Sequence, residues 1–308
     1  MRIAVVGLGG VGGYFGGMLA RAFRDHKAVK VVFLTRGEHL RQIRRRGLEV
    51  ITPEKTITAV PTLATDDVSA AGPLDLVFMC VKGYDLESAA TAVRSQLHPH
   101  SNVISLLNGV DNAERLGRVF SSGKVLNGCV YISSHIAGPG LVHQTGGTCQ
   151  LFFGPEDATL DEGKALETLL REGEIKATHT TDIRTVVWEK FLFVAPLASA
   201  TAHLGQPFGA FARPSSNRTL LEGLMDEVAR VGTARGVQWP EGAMDKALAK
   251  IGLFPSDTKS SLQLDFEKGR KTEIETFTGY VVKSGRELGV KTPLHATVYA
   301  ALRAKTPH

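Results

Sequence analysis

The stretch Met1–Leu19, MRIAVVGLGGVGGYFGGML, reads as strand, tight turn and helix in immediate succession. Ile3 to Val6 make a short apolar, β-prone run. It breaks at Gly7-Leu8-Gly9-Gly10-Val11-Gly12, a G-x-G-x-x-G pattern, and resumes as a small-residue helical pattern through Gly16, Gly17 and Ala20. Each glycine has a steric reason. Gly7 makes the turn, Gly9 lets a pyrophosphate approach the backbone, and Gly12 lets the helix sit close to its strand. The pyrophosphate would rest on unbonded N–H groups at the positive end of the helix. With 33 glycines in 308 residues such a pattern also arises by chance, so context carries the argument. Here it follows a strand and opens a helix. A dinucleotide site is therefore the reading, against the blander one of a structural glycine turn.

A chain of this length exceeds the size at which one core usually keeps growing, so two domains are expected. Apolar content of 43% and charged content of 22% are ordinary for a globular protein. Cys80, Cys129 and Cys149 are an odd set without C-x-x-C spacing, so neither a disulfide framework nor a zinc site is expected. Cys80, inside an apolar run, reads as a buried small hydrophobe. No apolar run approaches membrane-spanning length, and no charged-then-apolar leader precedes the first strand. The expectation is a cytoplasmic protein without a membrane partner. The net charge of +5 is modest, and no nucleic-acid motif accompanies it, so nucleic acid is not an expected partner.

Val29 to Leu34 reads as the second strand and ends at Thr35-Arg36-Gly37. This position decides the cofactor. An acidic residue here would accept from the ribose 2′-OH of NAD, whereas an arginine accommodates the 2′-phosphate of NADP. Arg36 is present and no carboxylate is, which points to NADPH. Arg41, Arg44, Arg45 and Arg46 on the following helix read mainly as a solvated face.

Leu74 to Val81 is a continuous apolar run of the kind buried in a parallel sheet, with Lys82 at its C-terminal end. A helix is expected over 85–97, then another strand over 103–107 leading to Asn108-Gly109. This alternation predicts a doubly wound α/β domain, the Rossmann arrangement. Residues 124–154, broken up by glycines, are expected to be short strands closing the sheet edge. A helix over 160–171 and a last strand over 176–179 follow. Beyond Thr181 the patterns are helical only, with 219–235 and 260–288 prominent and the second long enough to form a spine. The expected domains are 1–180 and 181–308.

Read alone, Lys82, Asn108, Lys190 and Glu273 are ordinary polar residues at element ends or on helix faces. No Ser-His-Asp elbow, P-loop or metal-spaced His/Cys cluster is present. His135 and His143 read as too far apart, on a loop-rich stretch, to make a metal pair.

The order of motifs is more specific. Gly7–Gly12 is followed by Val81-Lys82, Asn108-Gly109, Trp188-Glu189-Lys190, Ser260-Ser261-Leu262-Gln263-Leu264-Asp265, Gly269–Glu275 and Thr292-Pro293. This series resembles the ketopantoate reductases (2-dehydropantoate 2-reductases) along the whole chain. The resemblance implies an all-helical second domain like the C-terminal domain of 6-phosphogluconate dehydrogenases. It also implies hydride transfer from NADPH to the C2 ketone of 2-dehydropantoate, giving pantoate for pantothenate and coenzyme A. Lys190 matches the family's general acid, and Glu273 the acidic residue near the nicotinamide ribose and the substrate hydroxyl. Ser261 matches a substrate-binding hydroxyl. Lys82 and Asn108 match residues at the nicotinamide end, Asn108 touching substrate as well. The backbone of Gly7, Leu8, Gly9, Gly10, Val11 and Gly12, with Arg36 and Thr145, would complete the cofactor contacts. No metal is implied, and a homodimer through the helical domain is compatible with the resemblance.

One departure stands out. The family usually places asparagines four and eight residues after the acid lysine, where this chain has Val194 and Ala198. Thr201, three helical turns beyond Lys190, shares that face and is expected to compensate as a substrate-binding hydroxyl. Pro196 is expected to bend the helix. The alternatives this leaves open are a family paralogue for a different 2-oxo acid or ketone, and a non-catalytic NADPH sensor. A dehydrogenase for 3-hydroxy acids or polyol phosphates is a third, opposed by Thr272-Glu273-Ile274-Glu275.

Overall fold

The computed structural model describes residues 1–156 and 163–305. Contacts divide it into two units, one of residues 1–107 and 111–183, the other of 108–110 and 184–308.

The first unit is a sheet with helices on both faces. Strand β1 (Arg2–Val6) leads into helix α1 (Gly10–Ala22), then β2 (Lys30–Leu34), α2 (Gly37–Arg46), β3 (Leu48–Ile51), β4 (Thr56–Ala59), β5 (Leu63–Thr65) and β6 (Leu74–Met79). There follow α3 (Leu86–Val93), β7 (Leu97–Ser105), α4 (Asn112–Val119), β8 (Lys124–Gly138), β9 (Leu141–Gly154), α5 (Gly163–Glu172) and β10 (Lys176–His179). The order is β4-β3-β9-β8-β7-β6-β1-β2-β5, with β10 also on β9. From β8 to β5 every pairing is parallel.

Strand pleating explains why the core strands are apolar on both faces. Ile3, Val5, Val31, Phe33, Leu76 and Phe78 join one buried cluster with Phe15 and Leu19 of α1 and Leu166 and Leu170 of α5. Their neighbours Ala4, Val6, Val32, Leu34, Val77 and Met79 join a second with Leu86 and Ala90 of α3 and Leu116 of α4. Both faces are covered, so the inner positions of β1, β2 and β6 are apolar, and their polar residues Arg2, Lys30 and Asp75 stand at or near the strand starts.

Residues 124–154 differ from the expectation of short edge strands. β8 and β9 are 15 and 14 residues long, form one antiparallel hairpin and lie inside the sheet, β9 pairing with β3 and β10 as well. The glycines serve this hairpin rather than ending it. Gly140 (φ 71°) makes its turn, and Gly147 (φ 86°) lies on β9 near the register shift between Tyr131 and Ser133. The short strands β3, β4 and β5 carry too little pattern to be seen in advance. The helix expected over 85–97 is α3 flanked by 3₁₀ turns, and of the one expected over 160–171, residues 160–162 lie outside the described residues.

The second unit contains α6 (Ile183–Leu204), α7 (Ser216–Ala234), α8 (Ala243–Ala249), α9 (Ser261–Glu267), α10 (Tyr280–Leu288) and α11 (Pro293–Lys305). α6 runs on through Pro196, which withholds one N–H from the ladder without ending it. The stretch 260–288 is not the single spine expected. α9 ends at Glu267, Gly269 turns the chain at φ 59°, and a π-helical turn (Glu275–Gly279) precedes α10. Trp188 of α6 meets Phe191, Trp239 and Tyr280 edge-on. Among the described residues no helix is long and apolar enough to cross a membrane.

Candidate active site

The glycine turn has the geometry its sequence requires. Gly7 has φ 91°, a region that side chains rarely adopt, and its N–H donates to Leu34 O at 3.0 Å. A Cβ on Gly12 would lie 2.0 Å from Gly7 O, so helix and turn touch through backbone. A Cβ on Gly10 would lie 2.2 Å from Ser134 O, so β8 closes over the first turn of α1. Gly9 differs from both. A Cβ there would meet nothing within 4 Å, so protein packing does not demand this glycine, whereas a ligand against the backbone would. Gly9 caps α1 with no side-chain hydrogen bond, and the first turn carries no acidic residue. The N–H groups there meet the requirements of a pyrophosphate. Leu8 is buried behind the turn.

Arg36 is exposed at the end of β2, where it caps α2. Lys82 caps a 3₁₀ turn after β6. Sequence reading missed what holds that turn. Arg115 of α4 donates to Gly83 O at 2.5 Å and to both oxygens of Glu87 at 2.7 and 2.8 Å. Thr145 pairs its hydroxyl with Ser133 Oγ at 3.0 Å on exposed hairpin surface. His135 and His143 are direct cross-strand partners with ring centres 5.5 Å apart, nearer than their sequence separation implied. Even so, the described residues hold no group of three metal-binding side chains.

In the helical unit Asn108 and Lys190 come together. Lys190 Nζ donates to Asn108 Oδ1 at 2.8 Å across 82 residues of sequence. Glu273 is 6% exposed just before the π-helical turn, and its carbonyl accepts from the N–H of Thr276 and Phe277. Glu275 points elsewhere, bonded by Tyr299 and Arg303. Ser261 opens α9 and is exposed.

Thr201, expected to bind substrate, lies inside the helical unit with its hydroxyl bonded there. It is fully buried, donates to Ala198 O at 3.2 Å and pairs with Ser260 Oγ at 2.7 Å. Ser260 in turn accepts from Gln263 N and caps α9. The hydroxyl is spent joining α6 to α9. Ser199 is spent likewise, on Ala195 O and Thr278 Oγ1, both at 2.7 Å.

Sequence reading also missed a buried, hydrogen-bonded Glu–His couple. Glu227 of α7 accepts from the N–H of Leu294 and His295 and from His295 Nδ1 at 2.8, 2.9 and 2.7 Å, capping α11 from outside. Burial pushes the His295 imidazole below its ordinary value, against the pull of the carboxylate. For Glu227 burial acts upward, yet its three hydrogen bonds hold it below the ordinary range.

With this geometry in hand, the comparisons with known proteins settle the family. The family model described as "Ketopantoate reductase PanE/ApbA" matches residues 3–157, and its C-terminal counterpart matches 182–306. The chain belongs to the ketopantoate reductase PanE/ApbA family. A 2-dehydropantoate 2-reductase of Halobacterium salinarum (strain ATCC 700922 / JCM 11081 / NRC-1) is 30% identical, with 98% of each chain covered. An uncharacterized oxidoreductase of Bacillus subtilis (strain 168), YkpB, is 28% identical at the same coverage. The crystal structure of a PanE/ApbA family ketopantoate reductase from Ralstonia eutropha JMP134 matches with TM-score 0.90 and 29% identity, covering 99% of this chain and 98% of that one. Family membership thus agrees with the Rossmann-type sheet and helical domain described above.

Proposed function

We propose that this chain is an NADPH-dependent reductase of the C2 ketone of a 2-oxo acid, the reaction by which the family turns 2-dehydropantoate into pantoate. The hydrogen-bonded pair Lys190–Asn108 carries the reading. When bound, NADPH supplies a hydride. The residues of this chain do the rest. The ketone oxygen gains charge as C2 is reduced, and the Lys190 ammonium both stabilises that charge and gives it a proton. Asn108 accepts from the ammonium and so fixes where its remaining protons point. Ser261, with its hydroxyl in reach of solvent, suits a substrate carboxylate or hydroxyl. Glu273 suits a ribose or substrate hydroxyl. In the other unit Gly7–Gly12 would hold the pyrophosphate, Arg36 the 2′-phosphate, and Lys82 the nicotinamide end. The hydroxyl of Thr145, already paired with Ser133, leaves only its backbone for the cofactor.

A second reading, a family member acting on a different 2-oxo acid or ketone, is favoured by one observation: α6 offers only carbon at Val194 and Ala198. A sensor without turnover has no use for the Lys190–Asn108 pair. The test is oxidation of NADPH, followed by absorbance, with 2-dehydropantoate and a panel of other 2-oxo acids, repeated with NADH. Turnover of at least one 2-oxo acid with preference for NADPH is expected. NADPH binding with no turnover of any would overturn the proposal in favour of the sensor.

A further inference from the structure

We propose that His135 and His143 form a site for a divalent transition-metal ion on the β8–β9 hairpin, with water completing its coordination. The site is independent of the reductase reading. In sequence the two histidines are widely spaced, and the hairpin closes that distance. They are direct partners in the antiparallel register, between Ser134–Gln144 and Ile136–Val142. Their ring centres are 5.5 Å apart. An ion about 2.0–2.1 Å from one nitrogen of each ring, at a tetrahedral angle, sets ring centres about 5 Å apart. The rings stand close to that separation already. Among the described residues neither imidazole has a hydrogen-bond or ion-pair partner, so its nitrogens are available. His98 and His100 show the contrast. Their ring centres are 6.3 Å apart, but His98 Nδ1 accepts from the N–H of His100 at 3.3 Å and Nε2 lies 3.1 Å from Asp75 Oδ1.

The backbone under the pair is held on several sides. Gly140 at the hairpin turn donates to His39 Nδ1 at 2.9 Å, and its carbonyl accepts from Glu49 N at 2.9 Å. Arg46 donates to Pro139 O at 3.2 Å, and β9 pairs with β3 so that His143 lies beside Ile51. On β8, a Cβ on Gly10 would lie 2.2 Å from Ser134 O and 2.8 Å from His135 N, so this strand rests on the first turn of α1. Only side-chain torsions remain to be fixed when the ion arrives, which keeps the ordering cost small. His135 is exposed and His143 half-buried, so solvent reaches the remaining coordination positions. Neutral imidazoles suit Zn²⁺, Cu²⁺ and Ni²⁺ rather than Mg²⁺ or Ca²⁺. Two protein ligands are fewer than a catalytic or structural zinc site provides, so the ion exchanges with solution. Bound there, it ties β8 to β9 and stabilises the folded sheet unit.

The test is calorimetric titration of the full chain with ZnCl2, with Tm measured in parallel and MgCl2 as the control. Zn²⁺ should bind and raise Tm, and Mg²⁺ should do neither. His135→Ala and His143→Gln should each raise the Zn²⁺ Kd by about tenfold or more, the loss of one of two ligands. His98→Ala should leave that Kd unchanged. The Tm of each variant without metal shows whether it folds, and His135, being exposed, is the position at which substitution disturbs the fold least. Absence of Zn²⁺ binding, an unchanged Kd in folded His135→Ala, or an equal loss in His98→Ala would overturn the proposal.

Discussion

Lys190 Nζ lies 2.8 Å from Asn108 Oδ1, a hydrogen bond that joins α6 to the turn following β7. The three residues Asn108–Val110 group with the helical unit although the chain on either side belongs to the sheet unit. The asparagine thus belongs to the same unit as the lysine it accepts from. Gly109, with φ 108°, is what lets the chain make this excursion.

Replacing Asn108 by Asp would put a carboxylate beside the ammonium and favour its charged form. A general acid works only while protonated, so activity falls as pH rises through its pKa. The alkaline limb of the kcat profile should therefore move upward in Asn108→Asp, by about one pH unit. An unmoved limb in an active variant would mean that the titrating group is not Lys190.

Gly9 and Gly12 make opposite predictions. Gly12→Ala forces a methyl to within 2.0 Å of Gly7 O and should cost on the order of 1–3 kcal/mol or more, read as a fall in Tm. Gly9→Ala has open space and ordinary dihedrals, so Tm should hold while NADPH Kd rises roughly tenfold, about 1.4 kcal/mol. Equal effects of the two on Tm would show that Gly9 serves packing.

Arg36→Ala should weaken NADPH by about tenfold or more, the loss of a charge-assisted contact, and leave NADH unchanged. Parallel losses for both nucleotides would place the 2′-phosphate elsewhere.

Thr201→Val should lower stability by about 1–3 kcal/mol, because Ser260 loses a buried partner, and should leave KM for the 2-oxo acid unchanged. A raised KM at unchanged Tm would restore Thr201 to the substrate.

Most of the fold was legible because strand–turn–helix alternation and two-sided burial write continuous apolar runs, as in β1, β2 and β6. The β8–β9 hairpin was misread because glycines that serve a turn and a strand position look the same in sequence as glycines that end strands. The meeting of Lys190 and Asn108 was not legible from spacing, which says nothing about two residues so far apart; motif order alone singled them out together with Glu273. The partner of Thr201 was not legible, for a physical reason. Helical phase gives a residue's direction, but not whether another hydroxyl already waits there, and Ser260 does. Arg115 and the Glu227–His295 couple had no local pattern at all.

That couple gives a pH prediction. His295 is held below its unfolded value, so the folded state resists a proton that the unfolded chain takes up, and stability falls as pH drops below about 6.5. Glu227 is also held low, so its contribution is present above the unfolded carboxylate value and is lost only as pH falls through the folded one. Tm should thus decline from pH 7 to 5, and His295→Gln should flatten that decline. A slope identical to that of the unaltered protein would assign the acid sensitivity to other groups.

Lys190 is proposed to donate the proton, and Lys190→Ala, with kcat and NADPH Kd measured together, decides whether it does. A fall in kcat of about two to four decades is expected, with Kd changed by no more than a few-fold. Equal losses in both, or turnover that survives intact, would contradict it.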